Sequence, residues 1–271
     1  MSIPADAPKL RSIHRQMRFA TPRVITALML REMTTTYGRK PGGYIWSILE
    51  PVAGIALMSW IFTAAGARHP GLGTNFPIFY ATGLLPLFAY LHLNSRVMLA
   101  LSYSRQLLAY PRVTVTDALA ARFLVGLITE LLVAYIVLAG ILMLMDTGTH
   151  LILHHVVLGF AMAAALAAGT GVLNCFLNHV FPVWGSVWGL FMRPMIFVSG
   201  ALILLDALPQ EWQRWLVWNP LVHIIAEVRK GFYHGYTPAY VSPAFVFGIA
   251  LVCGVVGLLL VWRTHRDLLE N

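Results

Sequence analysis

Three ionisable side chains, Glu50, Glu130 and Arg193, stand inside long apolar runs of a 271-residue chain. A charge at the centre of a bilayer costs about 2.5–3.5 kcal/mol on insertion scales, so such groups face a protein interior or water. Glu130 and Arg193 enter their runs from the same side and to similar depth, which predicts an intramembrane ion pair between them. Arg193 lining an anion path is the rival reading. Glu50 is followed by Pro51, which lacks a backbone donor and bends a helix. With Arg39, Lys40, Tyr44 and Trp46, Glu50 forms a polar, aromatic collar at the start of its run. Either the collar is the inner mouth of a wet substrate pathway, or Glu50 simply holds a neighbouring Arg.

A second group is aromatic. Trp212, Trp215 and Trp218 recur every third residue along one helix face, and Asn219-Pro220 then breaks the helix. Indole faces can stack on sugar rings, or they can form the interfacial belt that Trp commonly supplies. Other chemistry is missing. The chain has no phosphate-binding G-x-x-x-x-G-K-[ST], no H-E-x-x-H, no G-x-S-x-G and no close carboxylate pair. The adjacent His154 and His155 read as a solvated pair at a helix end. Cys175 and Cys253 lie in apolar runs and read as inert core thiols. No catalytic residue, bound metal or bound cofactor is expected of this chain.

These residues must be positioned by membrane helices. Hydrophobic residues make up 58% of the chain and charged ones 11%, against about 25% charged in a soluble domain. A helix needs about twenty apolar residues to cross a bilayer. Six runs qualify: Tyr44–Ala65, Phe76–Met98, Leu119–Met145, Leu151–Leu177, Val183–Leu205 and Ala244–Trp262. The first forty-three residues hold eight Lys or Arg, and Arg96, Arg105, Arg112, Arg122, Arg263 and Arg266 fall on the same side. Arg68, Arg214, Arg229 and Lys230 fall on the other. The positive-inside rule therefore predicts that both termini are cytoplasmic. With so basic a start and no early apolar segment, a cleavable signal peptide is not expected. The expected organisation is a cytoplasmic segment over 1–43 and a six-span membrane domain over 44–271, with a coupling loop at 99–118 and an outer gate region at 206–243. Small residues four apart, Ala165 with Gly169, Ala167 with Gly171 and Gly185 with Gly189, predict close helix packing.

Three segments lie outside the runs. After Thr21-Pro22, residues Ile25, Leu28, Met29, Met33 and Tyr37 recur at helical spacing opposite Arg23, Arg31 and Glu32. They predict an amphipathic helix on the inner membrane surface, as an anchor or as a docking face. The loop Tyr103–Arg122 contains a short apolar-basic helix, Arg105–Tyr110, ended by Pro111. It docks a partner or folds back on the membrane. Leu208–Tyr236 reads as two short helices meeting at Pro220 and dipping into the outer leaflet.

The stretches LREMTTTYGRKPGGYIWSILEP, LLAYPRVTVTDALAAR and WNPLVHIIAEVRKGFYHGY, in this order around six spans, resemble the ABC-2 permease family. More narrowly, they are similar to the inner-membrane permease of ATP-dependent capsular polysaccharide exporters of Gram-negative bacteria. O-antigen and teichoic acid permeases share much of the pattern. An ABC-2 exporter of drugs or small lipids is a further reading, but such exporters usually lack the Trp-rich segment ending in NPLVH. The resemblance implies an all-α integral membrane fold with an N-terminal amphipathic interface helix at Pro22–Tyr37 and a cytoplasmic coupling helix. It makes Arg105, Gln106, Leu107, Leu108, Tyr110, Pro111 and Arg112 the contact with a separate ATPase subunit, which would carry ATP and Mg. It makes Glu211–Trp218 and Pro220–Phe232 periplasmic re-entrant gate helices. It implies a second copy of the chain, two ATP-binding-cassette subunits, a periplasmic co-polymerase-type adaptor, an outer-membrane exporter and a lipid-linked polysaccharide as partners, and no nucleic acid. An integral-membrane transferase would need a carboxylate or histidine constellation that the loops do not offer. The docking helix argues against a passive channel.

Overall fold

The computed structural model describes residues 20–37, 43–108 and 113–264. These residues form eleven α-helices and one short 3₁₀ turn, with no strand among them. Five helices are long and apolar enough to cross a membrane: α2 (Gly43–Ala64), α3 (Phe76–Met98), α5 (Val115–Leu144), α6 (Leu153–Val180) and α11 (Pro243–Thr264). α1 (Ala20–Tyr37) and α4 (Ala100–Leu108) lie at one end of this bundle and pack on α5. α9 (Gln210–Leu216) and α10 (Pro220–Lys230) lie at the other.

α3 is the core helix, and its sides touch α2, α5, α6 and α10. Both of its ends coincide with the run read from the sequence. Asn75 caps it by accepting from the Ile78 amide at 3.4 Å, and Pro77 occupies the first turn, where no donor is missed. α5 begins four residues earlier than its apolar run because Thr114 and Asp117 form a reciprocal capping box.

The small residues of α6 explain its closest neighbours. A Cβ at Gly171 would lie 2.8 Å from Val97 of α3, and one at Gly169 would meet the Ala250 carbonyl of α11. Gly257 of α11 sits equally close to the Leu173 backbone, where a Cβ would lie 2.6 Å from the amide nitrogen. Backbones approach here because no side chain intervenes. A ladder of amides secures the same crossing. Asn94 donates to Thr170 at 2.6 Å, Asn174 donates to Asn94 at 3.3 Å, and the Trp184 indole donates to Asn174 at 3.0 Å. Gly185 accommodates the Asn178 amide oxygen, whereas Gly189 has no atom within 4 Å of where its Cβ would stand.

The expected fifth span, Val183–Leu205, departs from one continuous helix. It divides at Arg193-Pro194 into α7 (Trp184–Met192) and α8 (Met195–Val198), and Gly200 then turns the chain with φ +81°. Proline supplies no amide to continue the ladder. The helical stretch 184–198 is about 22 Å long, short of a bilayer core of about 30 Å.

Candidate functional site

At the end of the bundle that carries α1 and α4, Arg122 gathers three elements. Its guanidinium lies 3.0 Å from Glu32 of α1 and stacks 4.2 Å over the Tyr103 ring of α4. It also donates to the Leu99 carbonyl at 3.4 Å. The side chain is 8% exposed. Arg122 thus ties α1 and α4 to α5. Arg105, Gln106, Leu107 and Leu108 form the last turns of α4, while Tyr110, Pro111 and Arg112 lie outside the described residues. So do Arg39 and Lys40 of the collar. Tyr44 and Trp46 open α2 and are 42% and 63% exposed.

About two helical turns further in, three ionisable groups meet. His92 of α3 places Nδ1 3.1 Å from Glu130 of α5 and Nε2 3.6 Å from Glu50 of α2. The ring stacks on Phe88 with centroids 5.9 Å apart. Glu130 is buried, whereas the Glu50 side chain is 59% exposed on the open face of α2. The ion pair expected between Glu130 and Arg193 does not form. Glu130 has taken His92, and Arg193 lies exposed at the joint between α7 and α8. Glu50 likewise faces a histidine rather than a neighbouring Arg.

The opposite end is built around Arg229 of α10. Its side chain donates to the Gly200 carbonyl at 2.8 Å and the Ala201 carbonyl at 2.9 Å, and lies 4.3 Å over the Phe79 ring. Gly83 of α3 leaves room for this contact, since a Cβ there would lie 2.6 Å from the Ala201 oxygen. Two residues before it, Glu227 takes His155 of α6 at 2.7 Å and Lys230 at 3.0 Å. His155 is thus engaged rather than solvated. Asn219 accepts from the Leu221 amide at 3.0 Å, capping α10, and donates to the Val198 carbonyl at 3.3 Å. Pro220 occupies the first turn of α10.

His223 links three segments: Nε2–H donates to the Val217 carbonyl at 2.7 Å, and Nδ1 accepts from the Ser242 amide at 3.0 Å. That pattern holds the neutral ring, and burial depresses its pKa below the ordinary 6.5. Burial also pushes the Tyr233 phenol up to about 12. Trp212 and Trp215 lie on α9 and Trp218 in the turn behind it; all three are exposed, at 63%, 79% and 73%. Trp218 meets Phe245 edge-on at 6.2 Å.

Sequence reading found Glu50, Glu130 and the tryptophans but missed His92, Arg122 and Arg229 as organising residues. A depth comparison would have found the first. His92 stands six residues from the end of α3 and Glu50 seven from the start of α2, on the same side of the bundle. Among the described residues no cluster of His, Cys, Asp and Glu fits a metal ion.

The family model described as "ABC-2 type transporter" matches residues 23–233. The chain is 30% identical over 246 residues to the polysialic acid transport protein KpsM of Escherichia coli, covering 90% of this chain and 93% of that protein. It is 28% identical over 243 residues to the capsule polysaccharide export inner-membrane protein BexB of Haemophilus influenzae, covering 88% and 90%. The corresponding protein CtrC of Neisseria meningitidis serogroup A is 25% identical over 246 residues, covering 90% and 92%.

Proposed function

The chain belongs to the ABC-2 type transporter family, and on that premise we propose that it is the transmembrane permease subunit of an ATP-driven exporter of lipid-linked capsular polysaccharide. The observation that carries this reading is similarity along nearly the whole chain to proteins named for polysialic acid transport and capsule polysaccharide export. Cargo moves from the cytoplasm to the periplasm, and the chain resides in the bacterial inner membrane with both termini cytoplasmic. The α1/α4 end is then the cytoplasmic end.

α7, α8 and the turn after them act as the sixth crossing. Trp184 bonds to Asn174 near the end of α6, whereas Ala201 bonds to Arg229 beside α10, which supports passage from one end of the bundle to the other. α9 and α10 serve as the outer gate. A second copy completes the conduit, a reading supported by the exposed apolar faces of α2 and α7, which include Trp46, Trp60, Leu190 and Phe191. Two ATPase subunits, binding ATP and Mg, press on Arg105–Arg112. The stroke passes from α4 through Tyr103 and Arg122 into α5. A periplasmic adaptor and an outer-membrane exporter take the polymer onward.

Deleting the gene in its host and analysing the sugars of the surface and the cytoplasm tests the reading. Polymer accumulates inside and disappears from the surface, and its composition names the cargo. A surface glycan unchanged in the deletion strain overturns the proposal.

A further inference from the structure

The geometry points to His92 as a positioning residue that latches α2 onto the α3–α5 pair at the inner mouth. α2 is loosely seated. Of its residues only Pro51 and Ile55 are buried. Among the ion pairs formed by described residues, the one that reaches α2 is Glu50 with His92. Pro51 adjoins it and leaves the Ser47 carbonyl without its usual amide partner, so α2 yields most easily at that turn.

The two arms of the latch differ. The Glu130 arm is closed: 3.1 Å, with a buried carboxylate. The Glu50 arm is 3.6 Å, longer than a direct hydrogen bond, with an exposed carboxylate. A shift of well under 1 Å therefore makes or breaks the second arm and leaves the first intact. A neutral imidazole has one N–H and can donate to one carboxylate, turning a lone pair toward the other, whereas the imidazolium donates to both. Removing the ring leaves the buried Glu130 carboxylate without this donor, and α2 loses the contact that ties Glu50 to α3.

Glu130 also links the latch to the start of α5. Arg122, Gly126 and Glu130 follow at intervals of four on that helix. Arg122 meets Glu32 and Tyr103, Gly126 faces the Arg96 side chain, and Glu130 holds His92. One stripe of α5 thus joins the α1/α4 node to the helix that walls the inner mouth. Only the second arm of the test below rests on the export reading.

The test is hydrogen–deuterium exchange on the full chain co-expressed with its ATPase partner and held in lipid nanodiscs. In His92→Ala, exchange at the amides of residues 44–54 rises at least tenfold while α6 and α11 keep the parent's rates. His92→Lys, which retains a cation with several donors, restores slow exchange. Should His92→Ala fail to fold, Glu50→Ala carries the same expectation, because its side chain is exposed. Unchanged exchange in α2 overturns the latch, and so does a rise shared equally by α6 and α11, which marks general loosening. In cells, export falls at least tenfold in His92→Ala; export at the parent's rate overturns the link to transport. If α2 loosens as stated but the parent itself exports no polymer, the export reading has failed and the latch stands.

Discussion

Arg229 is a cation held by two backbone carbonyls and a phenyl ring rather than by a carboxylate. Its flat, forked head suits two adjacent carbonyls, which a point-like ammonium does not reproduce. Arg229→Met strands both acceptors, at a cost of about 1–3 kcal/mol each. Thermal unfolding in detergent should show a clear drop in midpoint for Arg229→Met and incomplete recovery for Arg229→Lys; a Met variant as stable as the parent refutes this role. His223 supplies a pH dependence with a definite sign. Its folded pKa is depressed by burial, so the unfolded chain takes up a proton more readily. Its contribution to stability is complete above the unfolded value near 6.5 and declines as pH falls below it. Protonating Nδ1 also turns a donor toward the Ser242 amide. Unfolding midpoints measured between pH 7.5 and 5.5 should fall less steeply in His223→Phe than in the parent, and equal slopes would exclude this histidine. At this scale the sequence displayed the costly groups but not their partners. Glu130 was visible because a carboxylate in an apolar run is anomalous. His92 drew no notice because a lone histidine is common, and the sequence separation between the two hides their contact.

Helices meet here where side chains are smallest, so single glycines carry unequal weight. Gly169→Val drives a branched side chain into the Ala250 backbone of α11, and α6 cannot retreat because the Asn94–Asn174 ladder ties it to α3. Overpacking of this kind costs about 1–3 kcal/mol, more where backbone is the obstacle. Gly140 of α5 has open space where its Cβ would stand, and Ala is the better helix former by about 1 kcal/mol. Yields of monodisperse protein should collapse for Gly169→Val and hold or improve for Gly140→Ala; similar yields for the two would contradict the α6–α11 crossing. Element reading from sequence succeeded where hydrophobicity and caps agreed, as in α3 with Asn75 and Pro77. It erred by four residues at the start of α5, because the capping box lies outside the apolar run. The fifth run is long enough to read as one span, and the break at Pro194 inside it required the fold. The motif NPLVH was legible as a signature, whereas its physical content, a cap that also clasps Val198, required the fold.

For the molecule as a whole, the Arg122 node and the Arg229 anchor stand at opposite ends of one bundle, with α3 contacting both regions. On the proposed reading, work delivered at the α1/α4 end travels through packed helices. Leu107→Asp with Leu108→Asp places charge at the end of α4 and leaves Arg122 itself unaltered. Affinity copurification should show the ATPase partner lost while membrane insertion stays normal, and a retained complex refutes docking through α4. The glycine seats of α6 carry a consequence for biosynthesis. α11 is made after every other helix described here, yet Gly169 and the Leu173 backbone are shaped to receive it. Until α11 is made, these seats lack the neighbour that fits them. Of the described helices α11 is the latest to emerge, and it fills the seats that α6 offers.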